Sequence, residues 1–257
     1  MSESIVIDHV SKRFTLRYHR TFKQMTVARL RGQDVANTFW ALDDVSFTVD
    51  QGESIGLMGL NGSGKSTLLK LVNGVMRPDR GTVRTRGRTA GLIATGAGFH
   101  PQLSGRENIY INAAINGMSE AETNRKFDDI VEFADLGKFL DTPVGHYSSG
   151  MGARLGFAVA IHVDSDIFLA DEVLAVGDKP FKKKCIDRMQ EIRAEGRTIF
   201  YVSHAAGSVR KMCDRVIVLE KGKVGYDGEV DAGIKYLHYD EPKGDEGDTD
   251  DELGADI

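Results

Sequence analysis

The 257-residue sequence predicts an α/β fold: a mostly parallel sheet covered by helices on both faces, with a helical segment inserted into it. Three observations carry this. Apolar strand-like runs alternate with helical stretches at both ends of the chain, a glycine-rich loop joins one such strand to a helix, and a mostly helical stretch separates the two alternating parts. At about 150 residues per domain, the length favours one domain of the larger kind or one carrying an inserted subdomain. Hydrophobic residues make up 41% and charged residues 28%, enough apolar material for a sizeable core.

In order, a strand is expected over Ile5 to His9, then a basic segment, then strands over Val45 to Val49 and Ser54 to Met58. The glycine loop and a helix from Ser66 to Val72 follow, then a strand pair at Gly81 to Thr85 and Gly91 to Ala94. From about Ser104 to Val163 the pattern is mostly helical, and Ser119-Glu120-Ala121-Glu122 has the spacing of a capping box. Alternation returns with a strand (Ile167 to Ala170), a helix (Phe181 to Ala194), a strand (Thr198 to Ser203), a helix (Ala206 to Cys213) and a hairpin at Glu220 to Lys223.

Charge is uneven. The formal net charge is −5, yet residues 238 to 257 hold nine acids against Lys243 alone, so the rest of the chain stands at +3. This Gly- and acid-rich tail has too little apolar material to offset the entropy of ordering and is expected to be a disordered, solubilising extension. Residues 11 to 31 carry Lys12, Arg13, Arg17, Arg20, Lys23, Arg29 and Arg31 and no acid. Phe22, Met25 and Ala28 recur there at three-residue spacing, which suits a short helix with one apolar face. Such a segment is either a solvated insertion or a contact for something anionic. No apolar run approaches the roughly 18 residues of a membrane span, and Met1-Ser-Glu-Ser does not start like a signal peptide. Cys185 and Cys213 lie far apart, outside any CxxC or Cys/His cluster, so free thiols are expected instead of a disulfide framework or a zinc site.

The chemistry concentrates in four segments. Gly59-Leu60-Asn61-Gly62-Ser63-Gly64-Lys65-Ser66-Thr67 fits G-x-x-x-x-G-K-[ST] between an apolar strand and a helix start. Its backbone N–H groups and the helix end would cradle a nucleotide triphosphate, with Lys65 bridging the outer phosphates and Ser66 ligating Mg²⁺. Asp171 and Glu172 follow the strand Ile167 to Ala170, at the sheet edge where ligands collect. Asp171 would hold the magnesium through water, and Glu172 would polarise the water that attacks the terminal phosphate. Tyr147-Ser148-Ser149-Gly150-Met151 is a small polar turn opening an apolar helix, which makes it either a second anion site or an ordinary N-capped helix. His204 ends a buried strand on the same edge, within reach of a terminal phosphate or Glu172, although a lone histidine there is more often structural.

In this order the four segments resemble the nucleotide-binding subunit of ABC transporters over residues 1 to about 237. That resemblance implies a P-loop NTPase with a mostly parallel sheet, an antiparallel β subdomain and an inserted helical subdomain at about 95 to 163, interrupted early by the basic insertion at about 15 to 37. It implies a homodimer in which Ser148 and Gly150 contact the γ-phosphate of ATP held by the second copy, with Asp178 in the loop that crosses between them. Two departures stand out. The expected glutamine is replaced, since the count places Ala94 or Thr95 there and Gln102 lies too far along. The aromatic stacking on adenine falls on Phe14 by its offset from the first strand, with Tyr18, Phe39 and Trp40 as alternatives.

Four phrases, "FWALDDVSF", "GAGFHPQLSGRENIYIN", "YSSGMGARLGFAVA" and "DEVLAVGDKPFKKKC", look like the branch that exports lipid-linked polysaccharide, O antigen or teichoic acid. This implies two copies of a membrane-spanning permease, a lipid-linked glycan cargo and a place at the cytoplasmic face of the cell membrane. A soluble ATPase acting on nucleic acid or ribosomes and an importer subunit are the competing readings. One motif set without overall basicity makes nucleic acid the weaker choice.

Overall fold

The structure, a computed structural model, describes residues 2–17, 36–92, 98–171 and 178–239. The apolar face at Phe22, Met25 and Ala28, the alternatives Tyr18, Ala94 and Thr95, the expected base Glu172 and residues 240–257 of the acidic tail lie outside the described residues, while the tail's first two residues, 238 and 239, close a helix (Val230–Tyr239).

Two strands of 15 residues each, β1 (Glu3–Arg17) and β2 (Ala36–Asp50), form an antiparallel ribbon well beyond the expected Ile5 to His9 and Val45 to Val49. Bulges explain the difference. His9 (φ 50°) and Asp44 (φ 58°) both take left-handed backbone, and their side chains meet at 2.7 Å between Nδ1 and Oδ1. The strands continue past that break, where the period-2 pattern is out of phase. A third strand, β4 (Arg80–Thr85), pairs antiparallel with β1. Gly81 is needed there, because a Cβ would lie 2.2 Å from the His9 carbonyl oxygen.

The larger sheet has six strands: β3 (Ser54–Met58), β5 (Thr89–Leu92), β6 (Ile167–Ala170), β7 (Thr198–Val202), β8 (Arg215–Glu220) and β9 (Lys223–Gly228). Their order is β5-β6-β7-β3-β8-β9, parallel except for β9. The expected pairing of the strands near 81 and 91 is therefore corrected: β4 belongs to the small antiparallel sheet, while β5 runs parallel to β6. Solvent decides this. β4 is exposed along almost its whole length, as an edge strand of arginines should be, whereas Ala90 on β5 is buried.

Alternate residues of the central strands feed two cores. Ile55, Leu57, Ile167, Leu169, Phe200, Val202, Ile217 and Leu219 pack against the antiparallel ribbon and α1 (Lys65–Val72). Phe168, Ala170, Ile199, Tyr201, Val216 and Val218 face the other helices. These are α2 (Gly105–Ile115), α3 (Glu120–Ala134), α4 (Ser149–Ile161), α5 (Lys179–Ala194), α6 (Ala206–Met212) and α7 (Val230–Tyr239). Cys185 and Cys213 are free and buried in this second core, and loss of solvation pushes both thiols up to about 12.

The capping box expected at Ser119 is only half made: Ser119 Oγ accepts the Glu122 N–H, but no reciprocal bond returns. The Glu122 carboxylate instead accepts two 3.1 Å bonds from Arg88, tying α3 to the start of β5. A complete box forms at Ser104 and Glu107, at the head of α2.

His162 caps α4, donating from Nδ1 to the Ala158 carbonyl at 2.6 Å, edge-on to Phe133. A cation at a helix C-terminus is normally favoured, but here desolvation outweighs that carbonyl and Arg188 adds repulsion, so the imidazole titrates below its ordinary 6.5. The unfolded chain then binds the extra proton first, and stability present above pH 6.5 is lost as pH falls through the lower folded value. Urea melts at pH 7.5 and 5.5 should show this loss, and His162→Gln should shrink it; equal pH dependence in both proteins would count against the shift.

Candidate functional site

The strand β3 is buried along its full length and delivers the chain at Gly59 into a loop that only glycines can follow. Gly59, Gly62 and Gly64 have φ of 143°, 81° and 109°. A Cβ at Gly59 would lie 2.3 Å from the Leu219 carbonyl oxygen, and one at Gly64 would lie 2.5 Å from that of Ala41. The loop is thus pressed between the end of β8 and the interior of β2. The start of α1 that follows has no side-chain cap and no acid in its first turn, which suits a helix end that meets an anion.

Lys65, the first residue of α1, folds back beneath the loop and is only 7% exposed. Its Nζ donates to the carbonyls of Gly59 (2.6 Å) and Leu60 (3.1 Å). Ser63 Oγ is buried and has no hydrogen-bond partner among the described residues. A buried lysine held by the loop's own carbonyls, beside a hydroxyl that no described residue satisfies, fits an anionic ligand.

Around this loop lies a cleft of about 270 Å³. Asn61, Gly62, Gly64, Lys65, Ser66 and Thr67 form its floor, Asp171 and His204 one wall, and Phe14 and Phe39 another. Parallel pairing explains why distant segments meet: Leu57 on β3 sits opposite Val202 on β7, and Tyr201 sits opposite Ala170 on β6, so all three strands end at one edge. Of the aromatics considered, Phe14 and Phe39 are cross-strand partners on one face, with ring centroids 6.1 Å apart and tilted by 31°. Trp40 is one residue out of phase and lies under the Arg80 guanidinium (5.1 Å) instead of lining the cleft.

Ser148, Gly150 and Asp178 do not line this cleft. Ser148 caps α4 by accepting the Met151 N–H at 3.2 Å and is exposed together with Ser149, so the opening turn of this otherwise buried helix faces solvent. Asp178 caps α5, accepting from Phe181 N (3.3 Å) and from Arg154 Nη2 (2.7 Å). Partial desolvation opposes ionisation there, but those two donors hold its carboxyl below the ordinary range. Arg154 carried no role in the sequence reading. The available signal was a lone cation in the apolar run from Ala153 to Ile161.

No helix among the described residues is long and apolar enough to cross a membrane. The ABC transporter family model matches residues 42–175. The chain is 45% identical over 239 residues to the ABC transporter protein AbcA of Aeromonas salmonicida, covering 93% of this chain and 77% of that protein. It is 44% identical to the O-antigen export system ATP-binding protein RfbB of Klebsiella pneumoniae (91% of this chain, 97% of that protein). It is 42% identical to the teichoic acids export ATP-binding protein TagH of Listeria innocua (88% and 67%). Among solved structures, an ATP-binding subunit of an ABC transporter superposes with a TM-score of 0.72 at 25% identity, over 92% of this chain and 98% of that one. A dimeric ATP-binding cassette in a post-hydrolysis state with ADP and Pi superposes at 0.70, with 21% identity over 88% and 98%. With the glycine loop, the carboxylate at the sheet edge and the separate serine-capped helix in the family's order, the chain belongs to the ABC transporter family, as an ATP-binding subunit in the branch that includes the O-antigen and teichoic acid export proteins.

Proposed function

We propose that this chain is the ATP-hydrolysing subunit of an exporter that moves a lipid-linked polysaccharide of the O-antigen, galactan or teichoic-acid type across the cytoplasmic membrane. One observation supports the catalytic part: the Lys65 loop and the solvent-facing Ser148 turn at the start of α4 lie on one chain and do not share a cleft. Two copies arranged head to tail complete each other, the Lys65 loop of one facing Ser148 and Gly150 of the second. Each triphosphate then gains a second helix N-terminus only on closure, so nucleotide stabilises the closed dimer.

Within one site, Lys65 bridges the outer phosphates and the loop amides of Asn61 to Thr67 wrap them. Ser66 and Asp171 hold Mg²⁺, which when bound neutralises charge on the phosphates. Phe14 stacks on the adenine. Glu172 takes the proton of the attacking water, His204 orients that carboxylate or meets the terminal phosphate, and Asp178 lies on the crossing segment. The helical subdomain near Phe99 to Asn108 carries closure and reopening to two permease copies at the cytoplasmic face of the membrane.

The identity to RfbB and TagH supports the cargo. Its test is co-purification with a multi-span membrane protein, followed by ATP turnover with and without lipid-linked glycans. Stimulation by a lipid-linked glycan is expected. Salt-sensitive binding to DNA or RNA with no membrane partner would replace export by the nucleic-acid reading.

A further inference from the structure

We propose that Arg154 is a positioning residue: its guanidinium fastens Asp178 to the helix that carries Ser148 and Gly150, so that both segments meeting a second copy are presented as one rigid face. The proposal rests on the head-to-tail dimer above.

The geometry is specific to a guanidinium. Arg154 lies on α4 beyond its Ser148 cap, about 9 Å along the axis for six residues of helix. Its Nη2 donates to Asp178 Oδ1 at 2.7 Å, its Nη1 lies 3.8 Å from Asp135 Oδ2 at the end of α3, and its Cζ sits 4.9 Å over the Phe181 ring. One planar fork thus spans two carboxylates while stacking on an aromatic face, which an ammonium cannot do. Its side chain is 20% exposed. On Asp178 the bond is shared with capping, because the same Oδ1 accepts Phe181 N. The cap of α5 at Asp178 and the helix that carries the Ser148 turn therefore have one common fastener.

Holding the fold together does not require this pair. Leu155 to Ile161 of α4 are all buried, so apolar contacts dock the helix, and a partly exposed ion pair adds little to that. The consequence of losing Arg154 falls on the relative placement of Ser148 and Asp178, and so on dimer closure.

The test uses the full chain in a Glu172→Gln background, with ATP and Mg²⁺, following dimerisation by light scattering and monomer binding with a fluorescent ATP analogue. Arg154→Met should raise the ATP needed for half-dimerisation by about tenfold or more, while monomer affinity changes less than about twofold. Asp178→Asn keeps a good helix cap and should show the same defect, and the double variant should be no worse than the poorer single. Additive defects, or an Arg154→Met protein that dimerises like its parent, would overturn the proposal. So would a defect in Arg154→Met with a silent Asp178→Asn, which would mean that the guanidinium acts on nucleotide or partner by itself. A parent that stays monomeric with ATP overturns the head-to-tail dimer and this proposal with it, whereas a dimerising parent isolates the role of Arg154. If thermal melts show Arg154→Met unfolded, Arg154→Lys and Asp178→Asn carry the comparison; both should melt normally and dimerise poorly, and normal dimerisation of the pair would be the overturning result.

Discussion

Glu172→Gln should retain ATP binding while lowering turnover by roughly 10² to 10⁴, the share that a positioned general base contributes. The substitution keeps the side chain's volume and removes its proton-accepting charge. At about 1.4 kcal/mol per tenfold, the barrier rises by about 3 to 5 kcal/mol. Binding should survive because the proposed phosphate cradle lies elsewhere, in the Gly59 to Thr67 loop with its buried Lys65. With binding intact and hydrolysis slowed, the closed dimer has no route to reopen except nucleotide dissociation. Size-exclusion chromatography with ATP should therefore show a dimer that the unmodified protein forms only transiently. Phosphate release within a fewfold of the unmodified rate would remove Glu172 from the role of base. His204, on the wall of the same cleft, would then be the next proton acceptor to replace.

Legibility in the sequence followed solvent exposure. β3 and β6 have the bounds that their apolar runs suggest, since strands buried on both faces need no partner's pattern to be recognised. The ribbon of β1 and β2 was underestimated because its outer halves expose Arg13 and Thr15 and follow a bulge at His9 and Asp44. β4 and β5 follow one another in sequence yet join different sheets, one an exposed edge with arginines and the other carrying the buried Ala90, a difference that only the fold supplies. In the site, Lys65, Ser66, Asp171 and His204 were legible because the glycine loop and the strand ends fix where they go. The choice among Phe14, Phe39 and Trp40 turned on strand parity across a bulged pair, which only the register supplies. Arg154 was invisible as a fastener because its partners, Asp135 and Asp178, belong to other helices.

Lys65→Ala should abolish tight nucleotide binding, and the structure argues for a local effect. Two terms oppose each other in the empty protein. Removing a buried cation relieves its desolvation, but the Gly59 and Leu60 carbonyls lose a donor at 2.6 and 3.1 Å. With these partly cancelling, the melting temperature should change little. In the nucleotide complex nothing offsets the loss. Hydrogen bonds to charged groups are worth about 1.5 to 3 kcal/mol each, and bridging two phosphates involves at least two of them. The expected loss is therefore about 10² to 10⁴ in affinity. Lys65→Met, which keeps much of the stem's volume, should lose as much as Lys65→Ala, because the missing element is the charge and not the packing. A calorimetric titration with a non-hydrolysable ATP analogue measures this directly. If either variant, with its fold intact, bound as tightly as the parent, the triphosphate would have to lie somewhere other than the Gly59 to Thr67 loop.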